Sequence, residues 1–182
     1  MTPLVRSSDC SILFVDPRRQ HFLGLDRQTG DQLHRHFVRV RAAARATGAP
    51  CHFLTSRQEA NLPEWLTELG PYDVHQFPEI GPSWSNPDLA TALVVPDRPI
   101  LVICGFWLET TVSFIALCAL AGGLEVFAVA DATPAYVKDA SQPSWDRLLQ
   151  AGVVPTTTYQ LIAEWAEQAP DASLRSKLSD LL

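Results

Sequence analysis

Short apolar runs alternate with segments of helical periodicity along the chain, and this alternation constrains the fold more than any other feature. The strand-like runs are SILFV, CHFLT, DVHQF, ILVIC, LEVFAVA and VVPTT. Helical segments separate them, including one over 31–47 that ends at Gly48, a residue suited to a left-handed cap. Apolar strands separated by helices are typical of a parallel sheet covered on both faces. We therefore expect an α/β fold, a three-layer α/β/α sandwich around a six-stranded parallel sheet.

The overall composition argues against several classes of protein. A length of 182 residues without a composition break suits one domain over 1–182. The net charge of -6 argues against nucleic-acid binding, and the arginines of HRHFVRVRAAARATG fit the solvated face of a helix. No apolar run approaches the roughly 20 residues of a membrane span, and MTPLVRSSDC lacks a signal-peptide core. We expect a cytoplasmic protein that contacts neither membrane nor nucleic acid.

The cysteines and histidines predict no metal or cofactor site. Four scattered cysteines lack the CxxC spacing of zinc sites and suggest no disulfide framework: Cys10, Cys51, Cys104 and Cys118. The closest histidine pair, His34 and His36, faces two ways on a helix. No glycine-rich phosphate motif follows the first strand, so we expect no dinucleotide and no other cofactor.

The candidate site residues follow strands, because ligands of parallel sheets bind beyond the carboxyl ends of the strands. Asp16 closes the first strand, where an acid is either functional or a cap of the next turn. Phe77 and Trp84 flank the end of the third strand, and Trp107 follows the fourth. Thr111 opens the next helix. Packing is the alternative role of the aromatic residues, and helix capping is that of Thr111.

Five segments match, in order, the motifs of one enzyme family. The first strand ends in VDPR against VDxQ, and the second ends in TS. FPEIGPSWSN loosely matches RPGxxNAWDN, and GFWLETTVSFIALCALAGGLEVFAVADA matches GxxTExCVxxTAxxAxxxGxxVxVxxDA. SWDRLLQAG is similar to a branch of bacterial hydrolases of uncertain substrate. By these motifs the chain resembles the isochorismatase-like family, also called the cysteine hydrolase superfamily, and would be a single isochorismatase-like domain.

The resemblance implies a catalytic triad of which this chain keeps one member. In the hydrolases of the family an Asp, a Lys or Arg, and a nucleophilic Cys act together. Position by position, the Asp is Asp16, the cation falls on Phe77 and the cysteine falls on Thr111. The cis peptide of the family's oxyanion hole falls at Trp107–Leu108. The Asp and His metal site of nicotinamidases has no counterpart in SRQEANLPEW, so we expect neither that activity nor a covalent thioester.

Three functions stay open at this point. True isochorismatases lack the cysteine and use the Asp as a general acid, so an enzyme working through Asp16 is the first. Aromatic neighbours would partly desolvate its carboxyl group, which favours the acid form and suits proton transfer. Such a site would act on an apolar or aromatic small molecule by hydrolysis, elimination, isomerisation or cyclisation. An inactive protein that binds a small molecule or partner is the second, and a structural subunit is the third.

The resemblance also predicts the residues around the substrate and the assembly. The expected substrate-binding residues are Phe77, Trp84, Trp107, Leu108 and Arg57, with Asp16 and Thr111 as the catalytic positions. Family members associate, and the terminal apolar residues Leu178, Leu181 and Leu182 should be buried somewhere, for instance on a partner. We therefore expect a homodimer or larger oligomer.

Overall fold

The computed structural model describes residues 4–55, 62–77, 87–95 and 97–182. The strands are β1 Cys10–Val15, β2 Cys51–Thr55, β3 Asp73–Gln76, β4 Ile100–Gly105, β5 Glu125–Val129 and β6 Val154–Thr156. The α-helices are α1 Arg19–Leu23, α2 Arg27–Thr47, α3 Glu64–Thr67, α4 Pro87–Leu93, α5 Ser113–Ala121, α6 Ser141–Ala151, α7 Thr158–Glu167 and α8 Ala172–Ser179. A π-helical stretch, Leu108–Val112, leads into α5.

The six strands form one parallel sheet in the order β3-β2-β1-β4-β5-β6. β1 and β4 are neighbours in the middle, and their register pairs Val15 with Gly105. On the other side of β1, Val15 pairs with Leu54 of β2. The expected six-stranded parallel sheet is confirmed, and the carboxyl ends of β1, β2 and β4 lie together at one edge.

Two apolar clusters hold helices on opposite faces of the sheet. Ile12 and Phe14 of β1 belong to one cluster, and Leu13 and Val15 belong to the other, as the alternation of side chains along a strand requires. α2, α7 and α8 contribute to the first cluster, whereas α4, α5 and α6 contribute to the second. The arrangement is the expected three-layer sandwich.

The largest departure from the predicted helix bounds is at the start of α2. The helix begins at Arg27, four residues before the predicted start, because the Asp26 carboxylate accepts the Thr29 N–H at 3.0 Å and caps it. It ends as predicted, at a left-handed Gly48 with φ of 73°. No helix in the described parts of the chain combines the length and apolarity needed to cross a bilayer.

The apolar carboxyl terminus packs within its own chain. Leu178 of α8 is fully buried in the cluster that contains α2 and α7, and Leu181 packs against the same cluster. Leu182 stays exposed. Leu178 therefore needs no partner subunit to cover it, whereas Leu182 is left uncovered by the single chain.

Candidate active site at the ends of β1 and β4

Asp16 is the first residue after β1, and its backbone has a constrained conformation. Its N–H donates to the Leu54 carbonyl at 2.6 Å, which continues the β1–β2 ladder by one residue. Its φ is +47°, in the left-handed region where Asp is tolerated better than most residues. The residue is 8% exposed, so its carboxylate is held almost entirely inside the protein.

Arg18 supplies a cation directly to this carboxylate. Its Nη2 donates to Asp16 Oδ2 at 2.7 Å, and its Nε lies 2.7 Å from Oδ1. The second contact is an ion-pair approach without hydrogen-bond alignment, so Oδ1 is buried without a hydrogen bond from any described residue. The guanidinium is thus a charged neighbour in contact with both carboxylate oxygens. The expectation of an apolar setting for Asp16 was therefore wrong.

His21 contacts both Asp16 and Arg18. Its Nδ1 lies 3.0 Å from the Asp16 carbonyl oxygen, and its Nε2 lies 3.1 Å from Arg18 Nη2. A carbonyl only accepts and a guanidinium only donates, so Nδ1 carries the proton and Nε2 offers its lone pair. Burial lowers the pKa of His21, although the Asp16 carboxylate acts in the opposite direction. Both arguments describe a neutral imidazole that holds Arg18 in place.

Neither Arg18 nor His21 was selected from the sequence. The resemblance places the cation at the end of β3, whereas in the structure it lies beside Asp16, just after β1. The Arg18 N–H donates to the Asp16 carbonyl at 2.7 Å, and this tight turn returns the arginine to the acid that precedes it. The sequence signal for this arrangement is an arginine two residues after a strand-end acid, with a histidine three residues further on. We call residues 16–21 the β1 exit.

The chain leaves β4 through a turn that is shaped by backbone contacts. Gly105 has φ of +130°, and a Cβ there would overlap the backbone of Val15. The Phe106 N–H still bonds the Val15 carbonyl at 2.9 Å, so the chain stays on the sheet to that residue. The cis peptide is Phe106–Trp107, and its predicted position, Trp107–Leu108, was wrong by one bond. We call residues 105–112 the β4 exit.

The side chains of the β4 exit are mostly apolar. Leu108 is fully buried in the cluster under α5, and its N–H donates to the Pro134 carbonyl at 3.0 Å. Trp107 is half-buried, with its ring centroid 5.4 Å from that of His21. Thr111 is half-buried on the π-helical stretch, and its hydroxyl makes no hydrogen bond within the described part of the chain. The structure thus brings Trp107 against the β1 exit and places Leu108 in the core.

The remaining predicted residues lie toward β3 or outside the described chain. Phe77 follows β3, and its N–H donates to the Thr55 carbonyl at 2.9 Å. It is half-buried and packs against the cluster that contains Leu54. Trp84 and Arg57 fall outside the described residues.

The cysteines differ from the reactive thiols of hydrolases. Burial raises the pKa of Cys10 to about 12 and that of Cys51 to about 11. Cys104 is fully buried at the end of β4, and its pKa is raised well above the usual value for the same reason. Cys118 is half-buried on α5. A nucleophilic cysteine needs the opposite setting, with a depressed pKa and access to substrate.

The described residues offer no evident metal centre. Over the ranges that the structure describes, no three His, Cys, Asp or Glu side chains are grouped to hold an ion. His52 and His75 meet across β2 and β3 at 3.2 Å, with Asp73 3.7 Å from His52, but these groups contact one another rather than a shared centre.

Comparisons with known proteins agree on one family. A probable hydrolase, YcaC, of Escherichia coli (strain K12) is 34% identical over 82 residues, a match that spans 45% of this chain and 39% of that relative. The crystal structure of the Escherichia coli YcaC gene product, described as an octameric hydrolase of unknown specificity, superposes with a TM-score of 0.83 at 23% identity, covering 100% of this chain and 92% of that one. YcaC from Pseudomonas aeruginosa, solved with hexane-2,5-diol and covalent acrylamide, has a TM-score of 0.83, 22% identity and the same coverage of 100% and 92%.

More distant structures share the fold alone. The MAR1 ribonuclease of Caenorhabditis elegans superposes with a TM-score of 0.80 at 14% identity, over 98% of this chain and 91% of that one. The family model for the isochorismatase domain matches residues 10–160, which include every strand of the sheet and both exits. This chain belongs to the isochorismatase family.

Proposed function

We propose that this chain is a hydrolase that acts on an apolar or aromatic small molecule, with Asp16 as general base and no cysteine nucleophile. One observation carries the proposal. The Asp16 carboxylate lies at the carboxyl end of β1, where ligands of parallel sheets bind, and Arg18 contacts both of its oxygens at 2.7 Å.

The base role follows from the placement of the Asp16 carboxylate. Arg18 holds the Asp16 carboxylate in one position, and a carboxylate oxygen so placed can accept a proton from a water molecule bound beside it. In the hydrolytic step the Asp16 carboxylate takes a proton from water, and the water oxygen bonds to the electrophilic carbon. The bond from that carbon to the leaving group breaks, and the proton then passes from Asp16 to the leaving group. His21 holds Arg18 through Nε2 and so fixes the position of the base.

The thiols support a route without a covalent thioester. The three cysteines with raised pKa values are buried, so they are neutral thiols near pH 7. The hydroxyl of Thr111 has no base bonded to it in the described chain, and an unactivated hydroxyl is a weak nucleophile. Water activated by Asp16 is the nucleophile that remains.

The aromatic side chains beside Asp16, Arg18 and His21 favour an apolar substrate. The His21 ring lies 5.0 Å from Phe106 and 5.4 Å from Trp107, and Trp107 continues to Tyr136 at 5.2 Å. The Glu109 carboxylate accepts hydrogen bonds from the N–H groups of Tyr136 and Val137, which fixes Tyr136 relative to the β4 exit. An aromatic or alkyl group would pack on these rings with its reactive carbon toward Asp16.

The test is the Asp16→Asn variant on small esters, amides and enol ethers, with product release as the readout. Asparagine keeps the size of the side chain but cannot accept the proton, so kcat should fall about 100-fold or more. A variant with all four cysteines replaced should keep its activity. Full activity in Asp16→Asn, or loss of activity on alkylation that maps to Cys104, would contradict the proposal. Binding of a substrate without turnover by the parent protein would instead indicate a binding protein.

We further propose that the chain is a homo-oligomer. The octameric Escherichia coli neighbour supports this, as do large apolar side chains exposed in the single chain, among them Phe114, Tyr136 and Val137. Light scattering at micromolar concentration should give at least a dimeric mass, and a monomeric mass would contradict the proposal. The cytoplasmic location stays a prediction.

A further inference from the structure

A cavity lies beside α1, and Asp16, Arg18 and His21 do not line it. It has a volume of about 370 Å³ and is bounded by α1, the start of α2 and α3. Its apolar wall consists of Phe22, Leu25, Pro63 and Trp65, and Leu23 stands at its mouth. The predicted catalytic and substrate-binding residues do not line it. A volume of this size falls within the range of small-molecule sites.

The wall of the cavity is aromatic and incompletely covered. The Phe22 and Trp65 rings meet edge to face at 5.2 Å, and the exposed His34 ring lies over Trp65 at 4.3 Å. Leu23 is 77% exposed, a large apolar side chain that the single chain leaves in solvent. Phe22 and Leu23 would both lose water contact if a planar apolar group entered the cavity.

Two arginines and two carboxylates surround the cavity, and one of these arginines has no partner in the described chain. The Asp26 carboxylate is occupied by the Thr29 N–H that it caps, and Arg27 faces Asp31 at 3.9 Å. Arg19 lines the cavity and is exposed, and it makes no ion pair or hydrogen bond with any residue in the described chain. An aromatic wall beside a single free guanidinium complements a ligand with a ring and a carboxylate.

We propose that this cavity is a second binding site, for a small aromatic carboxylate. The ring packs on Phe22 and Trp65, and the carboxylate pairs with Arg19. The site adjoins the β1 exit, because α1 carries His21 as well as Phe22, and the Phe22 ring contacts Phe106 at 4.9 Å. The proposal does not depend on hydrolytic activity.

Benzoate is the probe, and the indole N–H signal of Trp65 in a proton–nitrogen NMR spectrum is the readout. The signal is assigned by its loss in a Trp65→Phe variant. Benzoate should shift it saturably below about 10 mM, a range that covers the weak affinity expected of so small a ligand. Benzyl alcohol keeps the ring without the charge and should bind more weakly. Arg19→Gln should weaken benzoate about fivefold and leave benzyl alcohol unchanged, since one exposed charge pair is lost.

A pair of glycine variants tests the location. A Cβ at Gly30 would lie 3.5 Å from the Phe22 carbonyl and 3.9 Å from Leu25 Cβ, which are ordinary contacts. Gly30→Ala should therefore fold and bind benzoate, whereas the longer side chain of Gly30→Leu should fill the cavity and abolish the shift. No saturable shift in the parent protein, or an unchanged shift in Gly30→Leu, would overturn the proposal. A changed oligomeric mass in Gly30→Leu with no benzoate response in the parent would also overturn it, in favour of a second copy of this chain as the occupant.

Discussion

At the β1 exit the chain concentrates charge, whereas at the neighbouring β4 exit it places a glycine and apolar side chains. The first holds Asp16, Arg18 and His21 in mutual contact. The second begins with Gly105, which lets the two backbones meet, and continues to the buried Leu108. In the family's cysteine hydrolases both exits contribute to the chemistry, as the resemblance implies. Under the proposed function, the chemistry of this chain belongs to the β1 exit, and the β4 exit shapes the site.

The largest effect that tests this division is on stability, at Gly105. In Gly105→Ala the new methyl group overlaps the Val15 backbone, and the residue must also keep a φ of +130°. We expect a loss of about 3 kcal/mol or more in the free energy of unfolding, measured by urea denaturation. Gly123→Ala is the matched control, because φ there is +90° but nothing lies within 4 Å of the new Cβ. It should cost about 1 kcal/mol. Equal costs would mean that the backbone approach at the β4 exit is not decisive.

A second test uses acid pH. There, a loss of activity at the β1 exit must be distinguished from a loss of stability caused by protonation of a histidine elsewhere in the chain. Burial, aided by His75, lowers the pKa of His52 to about 4. The unfolded chain takes up this proton near pH 6.5 and the folded chain does not, so stability falls as pH drops from about 6.5 to 4. The contribution of His52 is on the order of 3 kcal/mol, from about 1.4 kcal/mol per pKa unit.

His52→Leu removes this titration and should flatten the fall in stability over the same pH range, measured by urea denaturation at each pH. His34→Gln changes an exposed histidine and should leave the slope as it is. An unchanged slope in His52→Leu would assign the acid sensitivity to other buried histidines. If His52→Leu stays folded at pH 5 and still loses activity there, the loss belongs to the β1 exit.

The fold was predictable from the sequence because the central strands are separate apolar runs, although β3 is mostly polar. SILFV and ILVIC are buried on both faces, and the structure places both in the middle of the sheet. The short helix α1 was missed, since five residues are too few to show a helical period. The position of Asp16 followed from the rule on strand ends, but its partners did not. Arg18 reaches Asp16 through a tight turn and a left-handed φ, and neither leaves a periodic pattern in the sequence.

Arg18→Gln tests whether the charge at the β1 exit is needed. Glutamine can still donate a hydrogen bond to Asp16 but removes the ion pair that holds the carboxylate in place, so kcat should fall about tenfold with little change in KM. Arg18→Lys keeps the charge and should recover part of the loss. Arg147→Gln removes an exposed arginine on α6 and should leave activity unchanged. An unaffected kcat in Arg18→Gln would mean that the ion pair serves stability alone.

Thr111→Ala should have the smallest effect, because Thr111 has only a minor role if the chemistry belongs to the β1 exit. Its hydroxyl is half-exposed and makes no hydrogen bond with the described residues, so stability should change little. If the hydroxyl donates to the substrate, kcat/KM should fall by at most about tenfold, the scale of one neutral hydrogen bond. Thr110→Ala, its exposed neighbour on the same turn, is the matched control and should be neutral. A loss in Thr111→Ala as large as that in Asp16→Asn, with recovery in Thr111→Ser, would identify the hydroxyl as a nucleophile. The chemistry would then be shared between the two exits, as it is in the cysteine hydrolases, and the division drawn between them would fail.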